Sequence, residues 1–148
     1  MKKYVGCAGL VLALMSGWVS SDTMKPEDSV EYRQSAFRLM SYQLNVLNPL
    51  HRSKAYSDEQ FVYRSEMLNR LAALALEGFT EESKSITSRS APAVWDNHAD
   101  FTERMQDFIA TTAELTESAR AGQDEQTRDL FRQTLQSCRA CHDRYRLE

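Results

Sequence analysis

Prolines and glycines are scarce in this chain, and their placement decides what it can fold into. Past residue 21 only Pro26, Pro49, Gly78, Pro92 and Gly122 occur, and they fall between runs of helical period rather than inside them. Four amphipathic segments result. The first runs from Pro26 to about Leu47, with Glu27 and Asp28 at the positive end of the helix dipole, and its apolar stripe is Val30, Phe37, Met40, Leu44 and Leu47. The second starts at Ser57, whose spacing to Gln60 forms a capping box. It continues through Phe61, Met67, Leu68, Leu71, Leu74 and Ala75 toward Gly78. The third begins near Asp96 and repeats Phe101, Met105, Phe108, Thr112, Leu115 and Ala119 before Gly122 ends it. The fourth begins at Asp124 and aligns Phe131, Leu135, Cys138, His142 and Tyr145. Short connections predict an all-α fold, an up-down-up-down antiparallel four-helix bundle. The exception is a longer polar loop from Phe79 to Trp95.

The N-terminus reads differently. Lys2 and Lys3 precede an apolar run from Tyr4 to Val19, and small residues follow at Ser20 and Ser21. This is the pattern of a secretory signal cut after Ser21. The run is shorter than the roughly 20 residues a permanent transmembrane helix needs. Cys7 lies too close to Lys3 for a lipoprotein cut to leave an apolar signal core. Residues 1–21 are therefore expected to be removed, and residues 22–148 to form one domain. Loss of Lys2 and Lys3 leaves 16 basic against 21 acidic residues, so the charge moves from -3 to -5. No basic stripe with interleaved aromatics occurs, and no nucleic-acid partner is expected.

With Cys7 gone, the remaining cysteines belong to one motif, Cys138-Arg139-Ala140-Cys141-His142. On a helix, positions three and four apart share a face. Cys138 and Cys141 can therefore each form a thioether with one haem vinyl group while His142 offers a ring nitrogen to the iron. Two other chemistries use C-x-x-C. A redox dithiol normally opens a helix after a strand, whereas this pair closes a helix in a chain without a strand pattern. A structural zinc site needs a second ligand pair, and His51 and His98 stand alone. Covalent haem, one per chain, accounts for the motif best.

Topology predicts the haem's surroundings. In an up-down-up-down bundle the first helix begins where the fourth finishes, so Arg33 and Phe37 should meet His142, with the haem between those two helices. Arg33 lies about 10 Å from its helix start and His142 about 9 Å from the chain end, so the levels agree. Arg33 falls on the apolar stripe, where a guanidinium needs an anion. A haem propionate would serve; otherwise Arg33 snorkels outward or pairs with Glu27 or Asp28. Phe37 has no lone pair to give a metal, and covering the face opposite His142 it would leave a five-coordinate iron open to small neutral gases. Met40 offers the competing six-coordinate His/Met arrangement. Met67 is expected to be core packing.

The run Lys25 to Asp28, then Tyr32 to Ala36 and later Leu39 and Met40, resembles the first helix of cytochrome c′, among the class II c-type cytochromes. Cys138 to His142 followed by Asp143, Tyr145 and Arg146 resembles that family's last helix, and Pro92, Trp95 and Phe101 fit its third-helix start. The similarity spans residues 22–148. It implies a periplasmic four-helix bundle with one high-spin, five-coordinate haem c, binding nitric oxide and carbon monoxide and homodimeric through its first two helices. It further implies that Cys138 and Cys141 attach the haem and His142 is the metal ligand. Arg33 and Gln34 would touch the haem and its propionates, Phe37 would block the distal side, and Arg146 would sit near the proximal face. Met40 matches a position that is not a ligand. This chain has Leu76 where many relatives carry Trp, and residues 77–89 do not align. Leu39, Tyr42 and Val46 are candidates for the dimer interface. Two function classes remain: a one-electron carrier serving redox partner proteins, and a gas-binding protein. No nucleophile with a nearby base is evident, so an enzyme is not expected.

Overall fold

The computed structural model describes residues 24–148; the expected signal segment, with Cys7, lies outside the described residues. Four long helices are present, α1 (Pro26–Arg52), α2 (Glu59–Glu77), α4 (His98–Arg120) and α5 (Asp124–Tyr145), with a single turn, α3 (Ala93–Asp96), ahead of α4. Helix α1 packs on α2, α2 on α4 and α4 on α5, the antiparallel order expected, whereas α1 and α5 scarcely touch. That gap between the first and last helices positions the site. Among the described residues no helix is long and apolar enough to cross a membrane.

The seams follow from sequence period. On α1, Val30, Arg33, Ala36, Met40, Gln43 and Leu47 are buried three or four residues apart, with Ser29 buried beside Val30. All six stripe positions expected on the third long helix are buried in α4. On α2, Phe61, Leu68, Leu71 and Ala75 are buried, but Leu74 is exposed and Met67 only half-buried. Both sit at the margin of the stripe, where the bundle covers a narrower arc than the apolar residues occupy.

Helix ends depart from expectation in three places. Helix α1 continues through Pro49 to Arg52 rather than stopping near Leu47. A proline in the last turns forfeits only one internal hydrogen bond. The turn is closed by Lys54 N–H to His51 C=O (3.1 Å) and Ala55 N–H to Leu50 C=O (2.9 Å). The cap of α2 is Asp58, whose Oδ1 accepts from Gln60 N–H at 2.7 Å; Ser57 instead donates to Asp124 Oδ1 at 3.3 Å. The third segment starts earlier, as α3, then breaks at Asn97 (φ -127°, ψ 46°) before α4. Gly122 ends α4 as expected, at φ +66°, with Gln123 N–H bonded to Ser118 C=O at 3.0 Å.

The polar loop contains a 3-10 turn (Glu82–Ser85) and is fastened to the chain end. Ala91 N–H donates to Tyr145 C=O (2.9 Å) and Leu147 N–H to Arg89 C=O (2.8 Å). Trp95 Nε1 donates to Thr80 C=O at 3.2 Å. The segment after Gly78 therefore folds over the same end of the bundle as the C-x-x-C-H motif.

Candidate haem site

The gap between α1 and α5 is a cavity of about 460 Å³, within the range of small-molecule and cofactor sites. Every sequence-predicted site residue lines it: Arg33, Gln34 and Phe37 from α1, Cys138, Cys141 and His142 from α5, and Arg146 after α5. The apolar wall also includes Met40, Leu44, Phe79, Phe101, Met105 and Phe108. Phe101, Met105 and Phe108 come from α4, the floor beneath the α1–α5 gap. Their sequence period marks them as core stripe and gives no sign of the cavity.

Cys138 and Cys141 are free thiols, each half-buried. Burial pushes Cys138 up to about 11, with Cys141 beside it adding to the effect. Burial likewise raises Cys141. A redox dithiol needs the opposite, a thiol lowered toward neutral pH by positive surroundings. Among the described residues no group of three or more His, Cys, Asp or Glu side chains gathers as a metal cage. What these two thiols have in abundance is apolar space in front of them. His142 is lowered by burial and then by Arg146, whose Nη1 stands 3.4 Å from Nδ1. Both effects favour the neutral imidazole, the form that binds metals.

Arg33 is 1% exposed. Neither alternative partner foreseen for it is used, since it does not snorkel outward and pairs with neither Glu27 nor Asp28. Nη1 donates to Gly78 C=O (2.7 Å) and Ser83 Oγ (2.8 Å), and Nη2 to Ser88 Oγ (3.2 Å) and Ser90 Oγ (3.4 Å). The guanidinium also lies over the Phe79 ring at 4.7 Å and the Trp95 ring at 5.7 Å. Burial lowers its pKa, yet an arginine stays charged. A cation held by neutral oxygens and ring faces retains its need for an anion, and Nε has no partner. The loop is thus tied down by the residue that also faces the cavity.

Gly78 makes this possible by its lack of a side chain. A Cβ there would stand 2.7 Å from Arg33 Cβ and 2.7 Å from Ser29 O, so α1 and α2 approach more closely than any other residue allows. Phe79 follows directly and packs edge-on against Phe37 (6.2 Å between centroids) and Phe101 (4.6 Å). Phe37 is half-buried on the α1 wall, held from the side by Phe79. On the other side Tyr145 is buried and its hydroxyl donates to Asp100. Asp100 also pairs with Arg104 at 2.7 Å and Arg144 at 3.4 Å. The Arg104 hydrogen bond, then that of Tyr145, holds the Asp100 carboxyl down at about 2. Tyr145 therefore anchors the end of α5, and His98 is an exposed residue at the start of α4.

A large, mostly apolar cavity, two neutral thiols and an imidazole at one wall, and an anion-seeking guanidinium together suit a porphyrin with carboxylate arms. Comparisons with known proteins point the same way. The family model described as Cytochrome C′ matches residues 28–146. A curated cytochrome c′ from Alcaligenes xylosoxydans xylosoxydans is 35% identical over 123 residues, covering 82% of this chain and 95% of the relative. The solved cytochrome c prime from Shewanella frigidimarina superposes with a TM-score of 0.76 at 27% identity, over 86% of this chain and all of that one. A nitric oxide complex of a variant cytochrome c prime from Alcaligenes xylosoxidans gives 0.76 at 33% identity, over 86% and 100%.

Proposed function

Because this chain belongs to the cytochrome c′ family, we propose that it is an exported, periplasmic c-type cytochrome that exchanges single electrons and binds small gases, rather than an enzyme. Cys138 and Cys141 would carry one haem c through thioether links, and His142 would ligate its iron. The observation that carries this reading is the convergence of those three residues and Phe37 on one mostly apolar cavity. When bound, the haem supplies a one-electron iron couple and a coordination position for a diatomic ligand.

The chain's own residues set the conditions. Burial keeps both cysteines as neutral thiols until they are linked, and burial with Arg146 favours an unprotonated His142. Arg33, with Gln34 beside it, offers positive charge to the propionates. Phe37, seated against Phe79, presents a ring with no lone pair and so could not itself ligate an iron held by His142, which would leave the opposite position open to a small gas. Nitric oxide is seen bound in a relative; here nitric oxide and carbon monoxide would enter against Phe37. Met40 is 6% exposed and lines the same wall, so a His/Met iron is the competing arrangement. The Lys2–Lys3 pair and the following apolar run support export. Leu39 and Tyr42 on α1 and Tyr63 on α2 are exposed. Arg64 stacks over both tyrosines, at 5.8 and 5.2 Å, a patch suited to a homodimer.

Absorption spectra of the oxidised and reduced protein, with and without nitric oxide or carbon monoxide, test the reading. The expected result is a high-spin five-coordinate iron whose reduced spectrum shifts on adding either gas. A six-coordinate spectrum indifferent to both would replace it with a His/Met electron carrier.

A further inference from the structure

At the cavity the charge balance of the chain reverses. The whole sequence carries 21 acidic against 18 basic residues, yet five of the residues lining the cavity are arginines and none is acidic. They come from separate elements: Arg33 and Arg38 from α1, Arg89 from the loop, Arg104 from α4 and Arg146 from the chain end. Arg33 is buried and Arg104 is paired with Asp100. Arg38, Arg89 and Arg146 are exposed, and among the described residues no carboxylate forms an ion pair with any of them. The polar partner of Arg38 is a hydroxyl, Ser35 Oγ at 3.0 Å.

We propose that this arginine rim is a docking surface for a redox protein that presents an acidic face, so that electrons pass through the cavity mouth. The proposal rests on the reading that the cavity holds a haem. Asp100 already offsets Arg104, and two propionates would neutralise at most two of the other four charges, leaving the mouth positive on a chain that is negative overall. Such an arrangement repels an acidic partner over most of the surface and draws it in at one place. Guanidinium forks also grip carboxylates two oxygens at a time, which fixes orientation as well as attraction. The exposed arginines come from α1, the loop and the chain end rather than from the single basic helix face that lies on a membrane, which favours a protein partner.

The test uses the haem-loaded protein, with Arg38→Glu/Arg89→Glu at the rim and Arg52→Glu/Arg128→Glu, at the opposite end of the bundle, as a control with the same net charge. One arm follows oxidation of the ferrous protein by the anion hexacyanoferrate(III) and the cation tris(phenanthroline)cobalt(III). Ionic strength runs from about 0.01 to 0.15 M, across which the screening length falls from about 30 to 8 Å. A second arm measures binding of a decaglutamate peptide and of phosphatidylglycerol vesicles. We expect the anion to react about tenfold faster at low salt than at high salt. We also expect the peptide to bind, the rim variant to lose both effects, and the remote variant to keep both. Rates that follow net charge, with the anion slowest at low salt, or equal losses in the two variants, would overturn the proposal. So would vesicle binding tighter than peptide binding. A protein that takes up no haem shows no electron exchange in any variant, which separates failure of the haem reading from failure of the rim.

Discussion

Gly78→Ala places a methyl group where α1 and α2 touch, and the structure sets its cost. The new Cβ would meet Arg33 Cβ and Ser29 O, each at 2.7 Å, against the 3.4 Å at which ordinary contact begins. Neither atom is the end of a flexible side chain, so α1 must move away by about 0.7 Å at a point where Ser29 and Arg33 are buried. Forcing such overlap in a packed interior costs about 1–3 kcal/mol. The backbone at Gly78 (φ -80°, ψ 3°) suits any residue, so alanine recovers about 0.4–1 kcal/mol through the unfolded chain. The net loss is about 1–2 kcal/mol, or about 4–8 °C in Tm for a domain of this size. Thermal unfolding followed by far-UV circular dichroism measures it. Because Gly78 C=O also accepts from Arg33, the loop should open as well, seen as faster tryptic cleavage at Lys84 and Arg89. A variant as stable as the parent, with unchanged cleavage, would refute the claim that the helices meet through this glycine.

Phe37→Ala should tighten carbon monoxide binding by about 4- to 12-fold, the equivalent of about 0.8–1.5 kcal/mol no longer spent displacing a half-buried ring; unchanged affinity in flash photolysis would take Phe37 out of the distal role. Asp100 is held at about 2, below its unfolded value near 4. It therefore stabilises the fold above pH 4, and that stability is lost as pH falls from about 4 to 2. Asp100→Asn should lower stability at neutral pH and flatten that part of the acid-unfolding curve, which urea titrations at several pH values would show. Leu39→Glu, at a position 51% exposed, should convert a dimer to a monomer in sedimentation velocity without changing the absorption spectrum; an unaltered dimer would move the interface elsewhere.

Much of this architecture was legible because helical period and chain breakers are local properties. Five prolines and glycines marked out four helices, and topology alone brought Arg33 and Phe37 to the level of His142, all of which line one cavity. Features that depend on distant contacts were not legible. Pro49 reads as a stop, yet the turn beyond it is closed by the backbone around Lys54. Ser57 and Asp58 both suit a cap, and Ser57 is drawn away by Asp124 from another helix. Ser83, Ser88 and Ser90 look like the solvated residues of a polar loop until Arg33 reaches them. Phe79 gave one available signal, a large aromatic directly after a helix-ending glycine. Of the cavity arginines the sequence singles out Arg33 and Arg146; Arg38, Arg89 and Arg104 give no signal, since only the fold brings them to the same opening.

The proposed function requires a haem held by Cys138 and Cys141 with His142 on its iron. Intact mass and the reduced pyridine haemochrome spectrum of the protein, exported from a host that matures c-type cytochromes, test it directly. One haem per chain, resistant to acid-acetone extraction and lost from the Cys138→Ala/Cys141→Ala variant, is the predicted result. A colourless protein whose mass equals that of the processed polypeptide would contradict it.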